Sequence, residues 1–299
     1  MQQIFMNRRQ FATSIAAMAA ASLPLSRAPL AAAVSPAAAL PFQLSVMLWT
    51  VLPNLPFQQR LEKVAEAGYH SVELVEEYEK WLPDDFRSAN RQKKRLSLKF
   101  DTIAAVKKGV ANPREREAFL SELGRLIPVA EKLECPAIIV LSGNKVPGLS
   151  HEQQHQCSVE TLQRAGELVS KKNIALLLEN IDPEENPNYF LTSVAEGFEI
   201  VRKVDSPHVR FLYDLYHEQI AEGNLIEKLT KNIDIVGVVH VADVPGRHAP
   251  GTGEINYSNI FRNLAHLNYK GYVAMEFKAQ GDIVGELKAA RELAEQSGS

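Results

Sequence analysis

From residue 42 onward the chain alternates between short apolar runs and longer segments with helical periodicity, with no long linker interrupting the rhythm. The strand candidates are FQLSVML (42–48), SVELV (71–75), KFDTIA (99–104), AIIVL (137–141), ALLLE (175–179), VRFLYD (209–214), IVGVVH (235–240) and VAMEF (273–277). Helical stretches such as PFQQRLEKVAEAG, PREREAFLSELGRLIPVAEKL, HEQQHQCSVETLQRAGELVSKK, SVAEGFEIVRKV and DIVGELKAARELAEQ separate and follow them. Eight strands, each followed by a helix, in about 250 residues are the pattern of a single-domain (β/α)8 TIM barrel over residues 42–299. An open doubly wound sheet would also alternate, but no glycine-rich fingerprint follows the first strand.

A chain of 299 residues, 45% hydrophobic, has enough apolar material for such a core. Its net charge of -3 gives no basic footprint for a nucleic-acid backbone, and nothing after residue 34 has the apolar length of a membrane span. Cys135 and Cys157 have no metal-site spacing and read as small buried residues; a bridge between them is the alternative.

The first 33 residues differ in character. Arg8 and Arg9, a mildly apolar stretch from Phe11 to Leu25, and Arg27 before small residues read as an export signal. The arginine pair, followed one residue later by Phe11, resembles a twin-arginine signal. The expected layout is a signal over 1–33, a linker over 34–41, export through the twin-arginine machinery, and a periplasmic mature protein. An ordinary secretion signal or an uncleaved anchor is the alternative. Cleavage near Ala33 removes three of the 33 basic residues and none of the 36 acidic ones, leaving a net -6.

Four consecutive strand candidates end in a group that dislikes burial: Glu179 in LLLEN, Asp214 in LYDLYH, His240 in VVHVAD and Glu276 in AMEF. Their separations of 35, 26 and 36 residues each correspond to one strand–helix unit, so a barrel brings all four to the face where the strands' carboxyl ends converge. Three carboxylates together repel one another, and a divalent cation is the simplest partner that keeps them all ionised. Three oxygens and one imidazole nitrogen suit Mn²⁺ or Mg²⁺, with Co²⁺ or Zn²⁺ as competitors.

Over residues 42–280 the chain resembles the xylose-isomerase-like barrels and, within them, the hydroxypyruvate isomerases. The most specific stretch is HVADVPGRHAPGTGEINY (240–257); LLLENID, YDLYH, AEGNL and GYVAMEFK are similar in order and spacing. The resemblance implies metal ligands at Glu179, Asp214, His240 and Glu276, with Glu179 and Glu276 doubling as an acid/base pair. It also implies that His217 and Arg247 line a site for a small carbonyl, hydroxy-acid or sugar substrate.

The chemistry suits these residues. Isomerising an α-hydroxy carbonyl removes a proton from one carbon and returns it to the next through an enediolate, and two flanking carboxylates can each exchange one proton. His217 could hydrogen-bond a substrate oxygen or pair with a nearby carboxylate. Arg247 could present a fork to a substrate carboxylate or form an ordinary ion pair. Gly246, Gly251 and Gly253, with Pro245 and Pro250, make a tight loop carrying Arg247; His248 and Glu254 read as its structural partners. Glu73, at the end of the second strand, orients the site or pairs with a lysine. After the third strand the chain departs from the family pattern, and Lys107 and Lys108 there either meet an anionic substrate or form a solvated turn. A ketose 3-epimerase would use the same ligands and glutamates, and a non-catalytic periplasmic sugar-binding barrel would use the pocket alone. Self-association into a homo-oligomer is left open.

Overall fold

Each apolar run forms a strand, and all eight strands pair in parallel to close a barrel in the order of the chain. The structure is a computed structural model and describes residues 39–298. The expected signal over 1–33 and most of the linker over 34–41 lie outside these residues. The strands are β1 (Gln43–Met47), β2 (Ser71–Val75), β3 (Lys99–Ala104), β4 (Ala137–Leu141), β5 (Ala175–Glu179), β6 (Val209–Asp214), β7 (Val236–Val241) and β8 (Tyr272–Met275). Pairing of Gln43 to Val46 with Tyr272 to Met275 closes the ring.

The helices are α1 (Leu48–Val51), α2 (Phe57–Glu66), α3 (Pro83–Arg95), α4 (Arg116–Leu133), α5 (His151–Ser170), α6 (Val194–Val204), α7 (Leu215–Ala221), α8 (Leu225–Asn232), α9 (Tyr257–His266) and α10 (Ile283–Gly298). The expected single helix per strand is doubled after β1 and after β6. Behind β6 the cause is local: the Asp214 carboxylate accepts the backbone N–H groups of Tyr216 and His217, so α7 starts where the strand stops. Gly223 and Asn224, both with left-handed backbone, then end it.

Along each strand, residues alternate between two apolar cores. Val46, Val72, Leu74, Leu176, Leu178, Val239 and Val273 belong to the larger core, which also takes in the helices' apolar faces. Met47, Ala137, Ile139, Leu177, Leu212, Val238 and Ala274 fill the barrel interior. Two register shifts matter. Between β6 and β7, Phe211 pairs with Val236 but Leu212 pairs with Val238, so Gly237 is an extra residue on β7. That slip places His240 opposite Asp214 and on the interior face, where without it the alternation would turn His240 outward. Between β2 and β3, Val72 pairs with Phe100 and Glu73 with Thr102, leaving Asp101 as the extra residue on β3.

Candidate metal centre

The four strand-end groups converge. Glu179 is the last residue of β5, Asp214 the last of β6, His240 lies on β7 opposite Asp214, and Glu276 directly follows β8. All four are buried, and each offers a ligand atom within 4.8 Å of the others. His240 Nδ1 lies 2.7 Å from Glu276 Oε2, 3.4 Å from Glu179 Oε1 and 4.0 Å from Asp214 Oδ2. Because the Asp214 cap on α7 uses Oδ1, its Oδ2 is left free for the centre. Asp214 Oδ2, His240 Nδ1 and Glu276 Oε2 are all buried without a well-aligned hydrogen-bond partner, the short approach of Nδ1 to Glu276 included. Orphaned buried polar atoms are costly, and here they face one another, so the set fits a divalent cation held by three hard oxygens and one nitrogen.

The surroundings polarise the cluster. Burial, together with the charges of Glu276 and Asp214, raises the Glu179 carboxyl above its ordinary range despite the contact with His240. Burial acts the same way on Glu276, but the charges of Arg247 and His240 outweigh it and hold that carboxyl well below its ordinary range. Burial would lower His240, yet Glu73 and Glu276 raise it well above the ordinary imidazole value.

Arg247 reaches the site from the loop after β7. Its Nη2 lies 2.7 Å from Glu276 Oε1 and 3.7 Å from Asp214 Oδ2, its Nη1 lies 3.1 Å from Glu185 Oε2, and its guanidinium stacks over Tyr216. It is a buried ion-pair partner of the cluster rather than a surface residue, and its Nε has no partner. Arg247 itself has left-handed backbone (φ 59°). Asp243, which the sequence reading did not single out, organises the loop: its carboxylate accepts the N–H groups of Val244, Gly251, Gly253 and Ile255 at 2.9–3.0 Å. Gly253 must lack a side chain, since a Cβ there would sit 2.1 Å from the Val244 carbonyl oxygen. His248 contacts the Lys278 carbonyl and Gln280, and Glu254 accepts from Gln219, so both are loop partners.

His217, in the first turn of α7, is buried with Nδ1 2.6 Å from Asp182 Oδ2 and Nε2 3.5 Å from Asp214 Oδ2. Burial alone would lower its pKa; the charge of Asp214 and the bond to Asp182 push it up to about 9. Asp182, also missed in the sequence, is fixed by the N–H groups of Glu184 and Glu185. His217 and Arg247 line one cavity of about 210 Å³ with Glu179, Glu185 and Glu276. Met47, Val75, Ala104, Ile139 and Leu141, from β1 to β4, supply an apolar wall.

Glu73 lies in the middle of β2, not at its end, and its neighbour is His240 Nε2 at 2.9 Å rather than a lysine. Lys107 pairs with Glu76 and Glu79, and Lys108 with Glu115. Both line a neighbouring cavity of about 460 Å³, which shares Val106 and Leu141 with the smaller one, but neither lysine lines the smaller one. Cys135 and Cys157 are buried free thiols.

Fold and cluster together define the class: a (β/α)8 barrel whose strand ends gather three carboxylates and an imidazole around a point that a cation can fill. Residues 61–297 match the xylose isomerase-like TIM barrel family, and the chain belongs to it. Relatives named as isomerases match it over most of its length. They include 2-oxo-tetronate isomerase of Pectobacterium atrosepticum, 30% identical over 79% of this chain and 90% of the relative. Hydroxypyruvate isomerase of Escherichia coli is 32% identical over 75% of this chain and 88% of the relative. Among solved structures, a protein described as AP endonuclease, family 2, from Brucella melitensis superposes with a TM-score of 0.75 at 26% identity, covering 84% of this chain and 98% of its own.

Proposed function

We propose that the protein is a metal-dependent isomerase of small 2-oxo acids, interconverting hydroxypyruvate and tartronate semialdehyde or a related 2-oxo acid by proton transfer through an enediolate. The observation that carries this reading is the shape and chemistry of the cavity. About 210 Å³, with polar groups on one side and an apolar wall on the other, suits a substrate of a few carbons with one charged end. A ketohexose would bury several hydroxyl groups against Met47, Val75, Ile139 and Leu141, where they would lack partners.

Glu179, Asp214, His240 Nδ1 and Glu276 would hold the cation, Mn²⁺ or Mg²⁺ by the hardness of the donors, with Co²⁺ or Zn²⁺ as competitors. When bound it supplies positive charge beside the substrate oxygens, where the enediolate's negative charge develops. Burial raises the proton affinity of Glu179, which suits it to take a proton, and Arg247 holds Glu276 down as the weaker base of the pair. Glu179 would take the proton from one substrate carbon while Glu276 takes the hydroxyl proton there and gives it to the adjacent carbon, and Glu179 would pass its own proton to the adjacent oxygen, so that both carboxylates end as they began. Arg247, with a free Nε and an Nη1 paired only to the half-exposed Glu185, turns a donor edge to the substrate carboxylate. His217, cationic at neutral pH through Asp182 and Asp214, donates to a substrate oxygen. The apolar wall excludes competing water.

The test is incubation of the Mn²⁺-loaded protein in D₂O with hydroxypyruvate, 2-oxo-tetronate and free ketoses. Deuterium entering a 2-oxo acid with net isomerisation is the expected result; turnover of ketoses alone would make it an epimerase, and no uptake at all would leave a binding protein. The proposal includes location. Arg8 and Arg9 direct the folded, metal-loaded protein through the twin-arginine machinery to the periplasm, so Arg8→Lys with Arg9→Lys should trap precursor inside the cell. Undiminished periplasmic appearance of the double variant would refute that route.

A further inference from the structure

Glu73 takes no part in the chemistry above, yet it is a fully buried carboxylate inside the barrel. Neither of its oxygens has a well-aligned hydrogen-bond donor, and the group facing it is His240 Nε2, 2.9 Å from Oε2. The other face of the same imidazole behaves differently. Nδ1 looks toward Glu276, Glu179 and Asp214 at 2.7, 3.4 and 4.0 Å. One ring nitrogen therefore meets the three carboxylates of the centre, and the other meets a single carboxylate below it.

A histidine that ligates a cation through one nitrogen must carry its proton on the other. With the proton on Nε2, the N–H is carried by the nitrogen that lies 2.9 Å from Glu73 Oε2, and the Nδ1 lone pair is on the side of the three carboxylates of the centre. With the proton on Nδ1, both would be mismatched: an N–H aimed at a cation and a lone pair aimed at Glu73. We propose that Glu73 is a positioning residue, accepting the Nε2–H of His240 and so fixing it as an Nδ1 ligand in the orientation the centre needs. The inference rests on the reading of the four-residue cluster as a cation site.

A second carboxylate, Asp101, is buried in the same interior. Asp101, the bulge residue on β3, has Oδ1 accepting the hydroxyls of Ser45 and Ser71 at 2.7 and 2.8 Å, and its Oδ2 is buried without a partner. Burial and the charge of Glu73 push Asp101 well above the ordinary carboxylate range.

The experiment measures metal affinity directly, by competition with a chromophoric chelator, in wild type, Glu73→Ala and Glu73→Gln. Outer carboxylate partners of metal-bound histidines are worth roughly 10- to 100-fold in affinity, so Glu73→Ala should weaken Mn²⁺ and Zn²⁺ binding by about that factor. Glu73→Gln keeps an oxygen that can accept the Nε2–H and should stay within about threefold of wild type. In the diamagnetic Zn²⁺-loaded protein, NMR should show an exchange-protected His240 Nε2 proton in wild type and in Glu73→Gln, shifted or lost in Glu73→Ala. If the alanine cavity unfolds the barrel, Glu73→Leu fills the space without an acceptor and should show the same loss. Wild-type protein that binds no metal would overturn the cation-site reading itself. Tight metal binding by wild type with equal affinity in Glu73→Ala or Glu73→Leu, or equal loss in Glu73→Gln, would overturn the role of Glu73 alone.

Discussion

Glu179 and Glu276 carry the same functional group, and their surroundings push them in opposite directions, the first upward by burial and the second downward by Arg247 and His240. Replacing either by Gln keeps an oxygen and the volume but removes the basic carboxylate. Metal should stay bound while turnover falls by roughly 10²- to 10⁴-fold, the loss expected for a general base. The two variants should also differ: one should still exchange solvent deuterium into substrate through the surviving carboxylate without net isomerisation. Wild-type turnover in both would refute the two-carboxylate mechanism. These two residues, with Asp214 and His240, were legible in the sequence because each is a charged or titratable group closing an apolar run. Asp182 and Asp243 were not, because a carboxylate in a polar loop is ordinary; only folding shows that one holds His217 and the other gathers four N–H groups.

At the scale of elements, the strands, their order and most helices could be read from periodicity, whereas the two bulges could not. An extra residue inside an apolar run looks like a longer strand, and Gly237 in IVGVVH was the one hint of a shifted register. The start of α7 was hidden for a related reason: Asp214 reads as a ligand, and its second oxygen's work as a helix cap becomes visible only when both oxygens are placed. The loop after β7 gives this scale its prediction. Asp243→Ala would strand the four N–H groups its carboxylate accepts, at a cost of about 3 kcal/mol. Since that loop carries Arg247 to Glu276, KM for an anionic substrate should rise along with the fall in urea midpoint. A destabilised variant with unchanged KM would show that the loop does not position Arg247 for substrate.

Over the whole molecule, stability should depend on the proposed cation and on the buried acids. A cation that binds only the folded barrel adds about 2.7 kcal/mol at a hundred times its Kd, so a chelator should lower Tm, and an unchanged Tm would argue against the centre. The pH dependence in chelator then follows from groups the fold has raised. Burial pushes Glu77 and Glu218 from 4.5 up to about 7 and Asp101 well above 3.8. For an acid raised on folding, the native state holds its proton more tightly than the unfolded chain, so stability falls as pH rises from the unfolded value to the native one. His217, raised from 6.5 to about 9, acts in the same sense higher up, its contribution complete below 6.5 and lost as pH climbs toward 9. Glu276, held down, works the other way but only below 4.5. The metal-free protein should therefore be most stable near pH 5 and lose urea midpoint steadily toward pH 9. Glu77→Gln, outside the cation site, should flatten the part of that curve between 4.5 and 7 and leave the part above 7 in place. A metal-free protein that gained stability from pH 5 to 8 would mean that the fold does not raise these carboxyls.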